Sequence, residues 1–134
     1  MARLRVLVAE DHSAMRNCIV NILSADFEVI AAVPDGEELV ASALALKPDV
    51  IVSDIRMPRL DGVSALLRLR DAGVFTPFVL VTVDEDLAAH LNLPLACCIS
   101  KTEMYWKLNT AVRQAASAPT NGKFAEMPML EMAV

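Results

Sequence analysis

Long uncharged runs are missing from the sequence. Its longest segments without a charged residue, 72–83 and 87–100, are broken by glycine, proline, asparagine or histidine. Both are shorter than the ~20 apolar residues that a bilayer span requires. Near the N-terminus, Glu10 and Asp11 follow too few apolar residues for a signal peptide. These absences predict a chain that makes no contact with the membrane and stays in the cytoplasm.

Positive charge is also scarce. The 134 residues include 12 Lys and Arg against 17 Asp and Glu, which gives a net charge of -5. A negative balance disfavours a sequence-independent hold on nucleic acid, because the phosphate backbone repels such a chain. We therefore expect no direct contact with nucleic acid.

Cysteine is rare and follows no pattern. Cys18, Cys97 and Cys98 form neither the spacing of a metal site nor an even set for disulfide pairing. Neighbouring residues of a strand point to opposite faces, so Cys97 and Cys98 are not expected to bond to each other. All three are predicted to be reduced, buried thiols.

Hydrophobic residues make up 55% of the sequence, enough for the core of one domain. Five runs rich in Val, Ile and Leu are predicted as short strands buried on both faces: 4–9, 29–33, 50–53, 78–82 and 95–99. Segments with helical periodicity separate these runs. The chain is therefore predicted to be of the α/β class, a (βα)5 domain whose parallel sheet is covered on both faces.

Helices are predicted over four segments, with Ser13 as the N-cap of the first: 13–23, 39–46, 63–73 and 103–117. A helix over 84–93 is only weakly indicated, because few of its positions are periodic and Pro94 follows at once. Periodicity is lost after residue 118. We therefore predict one domain over 1–118 and a flexible C-terminal tail over 119–134.

Polar residues stand where the apolar strands end. Glu10 and Asp11 follow the first strand, Asp54 the third, Thr82 the fourth and Lys101 the fifth. Parallel strands end at one edge of a sheet, where such folds bind ligands. Three carboxylates in one cleft repel each other unless a divalent cation neutralises them, and oxygen ligands suit Mg²⁺. With an ammonium and a hydroxyl group beside them, the set predicts a site for a transferring phosphoryl group.

Five stretches of the sequence resemble the receiver domain of two-component response regulators. They are VLVAEDH at 6–12, PDVIVSDIRMP at 48–58, DG at 61–62, VT at 81–82 and SK at 100–101. The resemblance covers residues 3–117, and the threonine after Lys101 is similar to LuxR-type receivers. It implies a flavodoxin-like doubly wound sheet in the order 2-1-3-4-5. No output domain is expected after residue 118.

The resemblance implies a role for each polar residue. Asp54 would accept a phosphoryl group from a sensor histidine kinase, a phosphotransfer protein or a small phosphodonor. Lys101 would contact that group and Thr82 would swing toward it. The protein would then be a self-phosphorylating acceptor with slow autodephosphorylation, not a turnover enzyme.

The resemblance also implies a magnesium site. Glu10, Asp11 and Asp54 would hold Mg²⁺ together with the backbone carbonyl of Arg56. Arg56 and Asp84 would flank the entrance for attacking water. Two interpretations stay open: a pair between them that slows hydrolysis of the phosphorylated form, or two solvated charges with no kinetic role. Output would pass through a protein partner that the sequence does not identify. Homodimerisation is compatible with the sequence, although no residue specifies it.

The sequence departs from the family pattern in the segment before Lys101. Cys98 occupies the position of an aromatic residue that rotates inward when the threonine moves, and Cys97 replaces a frequent glycine. The segment 83–100 is also several residues shorter than usual. These departures leave an alternative open: a degenerate receiver that acts as a phosphorylation-independent dimerisation or partner-binding module.

Overall fold

The computed structural model describes residues 3–84, 93 and 95–117. Its strands are β1 (Arg5–Ala9), β2 (Glu28–Val33), β3 (Val50–Asp54), β4 (Phe78–Thr82) and β5 (Ala96–Ser100). The α-helices within the described ranges are α1 (Ser13–Ser24), α2 (Gly36–Leu46), α3 (Gly62–Asp71) and α4 (Met104–Ser117), and a 3₁₀ turn (Lys101–Glu103) precedes α4. All strand pairs are parallel, in the order β2-β1-β3-β4-β5. The predicted fold class and strand order are confirmed.

Two predicted segments are not covered by the structure. Apart from its two end residues, the weak helix predicted over 84–93 lies outside the described residues, as does the tail predicted over 119–134. In the part of the chain that is described, no helix combines the length and the apolar character that a membrane crossing requires.

The alternating side chains of the sheet divide the core into two layers. One layer joins the sheet to α1 and α4, with Ile19, Leu23, Leu108 and Val112 buried against strand residues such as Val8. The other joins it to α2 and α3 and contains Leu39, Leu66, Leu69 and Phe78. Helices on both faces explain why the central strands are uninterrupted apolar runs rather than alternating ones.

The adjacent cysteines follow this division. Cys97 belongs to the layer under α1 and α4 and Cys98 packs against the opposite one, and all three thiols are free. The predicted opposite orientations are therefore confirmed. The prediction that all three are buried is wrong for Cys18 and Cys98, which are half-buried. Cys98 lies on an edge strand, and Cys18 lies on a helix side that faces Tyr105.

Three local predictions are corrected by the structure. β2 is not buried on both faces, because it is an edge strand that leaves Glu28 and Ala32 exposed. β5 begins one residue later than predicted, because Leu95 has a left-handed φ of 58° that a strand does not accommodate. The N-cap of α1 is His12 rather than Ser13, because His12 is extended and its Nδ1 accepts from the Met15 N–H at 3.3 Å.

Two Asp-Gly pairs begin the helices nearest the site. Asp35 caps α2 by accepting from the Glu38 N–H at 2.9 Å, and Asp61 caps α3 by accepting from the Ser64 N–H at 2.7 Å. Each carboxylate satisfies an N–H group that has no partner within the helix and lies at its positive end.

The glycines of these pairs are required by close backbone approach. A Cβ atom at Gly36 would overlap the carbonyl oxygen of Leu60, and one at Gly62 would overlap the carbonyl oxygen of Asp54. The Gly62 N–H also donates to the carbonyl of Ile55 at 2.7 Å. The loop between β3 and α3 is therefore packed against the starts of both helices.

We expect Gly62→Ala to lower the free energy of unfolding by about 3 kcal/mol, because the new methyl group meets backbone rather than a side chain that can move. Gly73→Ala is the matched control. Gly73 has a φ of 81° and open space around it, so alanine there costs only about 1 kcal/mol of backbone strain. Urea denaturation measures both values. Equal losses in the two variants would contradict the close approach at Gly62.

Candidate phosphoryl-transfer site

The three predicted carboxylates come together at the carboxyl edge of the sheet. β1 and β3 are neighbours in register, with Ala9 opposite Ser53, so Glu10, Asp11 and Asp54 follow at the same height. One oxygen from each carboxylate lies within 4.8 Å of the others. The fold thus confirms the predicted acidic cluster.

Lys101 reaches this cluster from β5. Its Nζ lies 2.8 Å from Oε1 of Glu10 and 3.0 Å from Oδ2 of Asp54. One ammonium group against three carboxylates leaves two negative charges unbalanced. A divalent cation cancels that excess, and its preference for oxygen ligands matches the donors present. The residues of the cluster therefore fit a hard divalent cation such as Mg²⁺.

Glu10 forms the floor of the cluster. It is 1% exposed, and its Oε2 accepts from the backbone N–H of His12 at 3.2 Å. Burial raises the pKa of Glu10, the Asp54 carboxylate raises it further, and the Lys101 ammonium opposes both. Burial also disfavours the charged form of Lys101, but its hydrogen bonds to Glu10 and Asp54 outweigh this and raise its pKa. The lysine is therefore a permanent positive charge at neutral pH.

Asp54 is held in a defined orientation at the end of β3. Its Oδ1 accepts from the N–H of Ile55 at 2.7 Å, while Oδ2 faces Lys101. Asp54 is 8% exposed, so only a small part of it meets solvent. An aligned and nearly desolvated carboxylate beside a cation is suited to attack an electrophile at short range.

The rim of the cluster is open to solvent. Asp11 and His12 are exposed, whereas Glu10 is buried. Arg16, one turn into α1, donates to the carbonyl oxygen of Glu10 at 2.9 Å. The β1–α1 turn is thereby fixed from the helix side.

Thr82 is buried at the end of β4, next to the strand of Asp54. Asp54 lies opposite Val81, so Thr82 stands one residue further along at the same edge. Its Oγ1 accepts from the N–H of Asp84 at 3.0 Å. The hydroxyl proton is not used by that bond and remains able to donate to an incoming oxygen.

The predicted pair at the entrance is present. Arg56 Nη2 lies 3.7 Å from Oδ2 of Asp84, and the two side chains are 76% and 40% exposed. Pairs as exposed as this one contribute little to stability.

Sequence reasoning missed one contact at this edge. Arg59 donates through Nε at 2.9 Å and through Nη2 at 2.6 Å to Oδ2 of Asp35, which is 1% exposed. The Asp-Gly pair at 35–36 is a local signal of a helix start. The pairing with Arg59, in contrast, joins residues 24 positions apart and has no local signal.

The position of the family's aromatic residue is occupied by a half-buried thiol. Cys98 lies opposite Leu80 in the β4–β5 register. Burial raises the pKa of both Cys97 and Cys98 to about 12. Both thiols therefore hold their protons more tightly than an exposed cysteine does, and Cys98 fills far less volume than an aromatic ring.

The family model of the response regulator receiver domain matches residues 6–113, most of the chain. The chain belongs to this family. Receiver domains are phosphoacceptors of two-component systems, and their acidic cluster corresponds to Glu10, Asp11 and Asp54 here. The predicted family is confirmed.

Receiver domains of different regulators are similar to this one. The chain is 58% identical over 66 residues to protein-glutamate methylesterase/protein-glutamine glutaminase 5 of Geobacter metallireducens, which covers 48% of this chain but only 18% of that protein. The response regulator domain of Thermotoga maritima CheB is 30% identical with a TM-score of 0.73, covering 87% of this chain and 98% of that one. The receiver domain of NarL from Mycobacterium tuberculosis has a TM-score of 0.77 at 23% identity, covering 89% of this chain and 100% of that one, and shares the fold.

Asp11→Asn is expected to abolish most of the stabilisation of this receiver domain by Mg²⁺. A ligand at about ten times its Kd raises the free energy of unfolding by about 1.4 kcal/mol. Without Mg²⁺ the variant should unfold at no lower urea concentration than the parent protein, because the substitution removes a negative charge that repels the other two carboxylates. Urea denaturation with and without Mg²⁺ measures this. Asp71→Asn, which changes an exposed acid at the end of α3, should keep the full Mg²⁺ effect.

Cys97 and Cys98 should resist alkylation in the folded protein. With a pKa of about 12 instead of 9.0, each thiol has about a thousandfold less thiolate at pH 8. In a Cys18→Ala background, mass spectrometry after iodoacetamide treatment should show no modification until urea unfolds the chain. Rapid modification of either residue in the native protein would contradict the raised pKa of the β5 thiols.

Proposed function

We propose that this chain is a phosphoacceptor switch of a two-component phosphorelay, phosphorylated on Asp54 in a Mg²⁺-dependent reaction. The donor is a sensor histidine kinase or a phosphotransfer protein, and output passes through a protein partner. The observation that carries the proposal is the Lys101 ammonium, which contacts Asp54 at 3.0 Å within the three-carboxylate cluster.

Phosphoryl transfer requires an aligned nucleophile and stabilisation of negative charge. An oxygen of Asp54 attacks phosphorus, an O–P bond forms, and the bond from phosphorus to the donor's nitrogen or oxygen breaks with its electron pair going to the donor. The hydrogen bond from Ile55 holds the carboxylate in place. Lys101 then binds a phosphoryl oxygen, and the Thr82 hydroxyl donates to another.

The acidic residues and the adjacent loop supply the ligands for Mg²⁺. Glu10, Asp11, Asp54 and the backbone carbonyl of Arg56 would hold the ion. Bound there, it supplies neutralisation of the charge on the transferring group. Lys101 by itself leaves an excess of negative charge that would repel an anionic donor. The ion is therefore a requirement for the reaction rather than an accessory.

Signal transmission in this chain differs from the family pattern. We infer that Thr82 moves toward the phosphoryl group and exchanges its contact with the Asp84 backbone for the new one. Cys98 has no ring to bury, so the movement is expected to be smaller or to travel by another route. We therefore expect that Asp54 is still phosphorylated, and that the structural change which follows phosphorylation differs from that of receivers with an aromatic residue.

The second candidate function is a degenerate receiver that binds a partner or dimerises without phosphorylation. The observation that favours it is Cys98 at the switch position, half-buried and unable to report on Thr82 through ring movement. The intact contacts of Lys101 with Glu10 and Asp54 favour the phosphoacceptor.

We propose further that the receiver domain spans 1–118, that 119–134 form a flexible tail, that the protein is cytoplasmic, and that it dephosphorylates itself slowly instead of acting as a turnover enzyme. The esterase named in the Geobacter metallireducens relative is not assigned to this chain, because the match spans 18% of that protein.

Incubation with acetyl phosphate and Mg²⁺ should add one phosphoryl group to the protein, as measured by intact-mass spectrometry. The gain should disappear without Mg²⁺ and in Asp54→Asn, which lacks the nucleophile. Asp71→Asn should be phosphorylated like the parent protein. A folded protein that gains no mass under any of these conditions would contradict the phosphoacceptor and favour the partner-binding module.

Arg56→Ala should shorten the half-life of the phosphorylated form, because it opens the path of water toward Asp54. An exposed pair contributes about 0.2–1 kcal/mol, so the change in rate should not exceed about fivefold. The half-life is measured by mass spectrometry after removal of acetyl phosphate. Arg68→Ala, which breaks the exposed pair of Arg68 with Glu37, should leave it unchanged, and an unchanged half-life in Arg56→Ala would exclude the kinetic role.

A further inference from the structure

The contact between Arg59 and Asp35 joins two loops at the edge of the sheet that carries the site. Asp35 is at the start of α2, and Arg59 lies in the loop 55–61 that follows Asp54. Both guanidinium donors bind the same carboxylate oxygen, Oδ2, while Oδ1 caps α2. The carboxylate is therefore fully engaged although it is buried, as a buried charge requires.

Arg59 adopts a backbone conformation that its residue type disfavours. Its φ of 67° lies in the left-handed region, which is strained for a residue with a Cβ atom. Such strain persists only where surrounding contacts enforce it. The pairing with Asp35 is one, and the contact of the Leu60 carbonyl with Gly36 is another. The hydrogen bond from the Leu60 N–H to the Pro58 carbonyl, 2.7 Å, tightens the same turn.

The loop held in this way connects directly to the site. Where the loop ends, the Gly62 N–H donates a hydrogen bond to the Ile55 carbonyl. Arg56 lies between Ile55, held by this bond, and Arg59, held by Asp35. Its carbonyl can therefore adopt few positions relative to Asp54. If the pairing with Asp35 is lost, Arg59 is free to leave its left-handed conformation. The loop is then held only by the packing of Met57 and Leu60 on the core, the Leu60–Gly36 contact and the Ile55–Gly62 closure.

We propose that Arg59 is a positioning residue for the metal site: by binding Asp35 it holds the loop 55–61 so that the Arg56 carbonyl faces the acidic cluster. The inference rests on the proposed function, in which that carbonyl is a ligand of Mg²⁺. Arg59 itself does not touch the ion or the reacting atoms.

Arg59→Met is the first test, with Mg²⁺ affinity measured by ¹H–¹⁵N NMR titration of the backbone amides. We expect the Kd for Mg²⁺ to rise about tenfold, as for other residues that orient metal ligands. Arg68→Met is the matched control, since Arg68 pairs with Glu37 on the neighbouring α2–α3 surface. It should bind Mg²⁺ like the parent protein.

Two further variants separate positioning from folding. Arg59→Gly removes the guanidinium but suits the left-handed φ, so it should recover stability without recovering Mg²⁺ affinity. Asp35→Asn keeps an oxygen for the cap of α2 and loses the ion pair, so its Kd should rise as in Arg59→Met. Either variant can be used if Arg59→Met does not fold.

The phosphorylation rate gives an independent measure. In the Arg59 variants the rate with acetyl phosphate should fall at low Mg²⁺ and return to the parent value at saturating Mg²⁺. Arg59 variants that lose stability but keep the parent Kd would overturn the positioning role while leaving the proposed function intact. A parent protein that neither binds Mg²⁺ nor gains a phosphoryl group would overturn both.

Discussion

The repulsion among three carboxylates at one edge of the sheet is the constraint on which the rest of this receiver domain depends. Lys101 relieves part of it by contacting Glu10 and Asp54, residues from two different strands. Desolvation makes each of these charges expensive alone and their pairing strong. The ion pairs therefore connect the ends of β1, β3 and β5. The negative charge that Lys101 does not balance favours the binding of a divalent cation. Stability and chemistry have the same electrostatic origin here.

The backbone around Asp54 is braced on both sides so that this arrangement keeps its shape. Glycines at the starts of α2 and α3 let helix and loop backbones approach within contact distance. The capping aspartates satisfy the helix ends, and one of them, Asp35, also binds the loop through Arg59. A site for phosphoryl transfer depends on positions held to a fraction of an ångström. Together with the packing of Ile55, Met57 and Leu60 on the core, this polar bracing holds the seven-residue loop 55–61 in place.

Much of the fold could be predicted from the sequence because its signals are local and periodic. Apolar runs of Val, Ile and Leu predicted the strands to within a residue or two, and helical periodicity predicted the end of α2 at residue 46. The errors have physical causes that neighbouring residues do not reveal. His12 replaces Ser13 as a cap because the chain is extended there, β2 is exposed because it lies at an edge, and Leu95 is left-handed where the chain enters β5.

The sequence by itself determined the class of the fold, the family and the set of polar residues at the strand ends, because each of these is written in residue type and spacing. Only the tertiary structure decided how those residues are used. Burial of Glu10, the reach of Lys101 to two carboxylates and the pairing of Asp35 with Arg59 depend on strand order and loop packing. Such contacts join residues from 24 to 91 positions apart, and their energy comes from attraction between charges in low-dielectric surroundings that exist only in the folded chain.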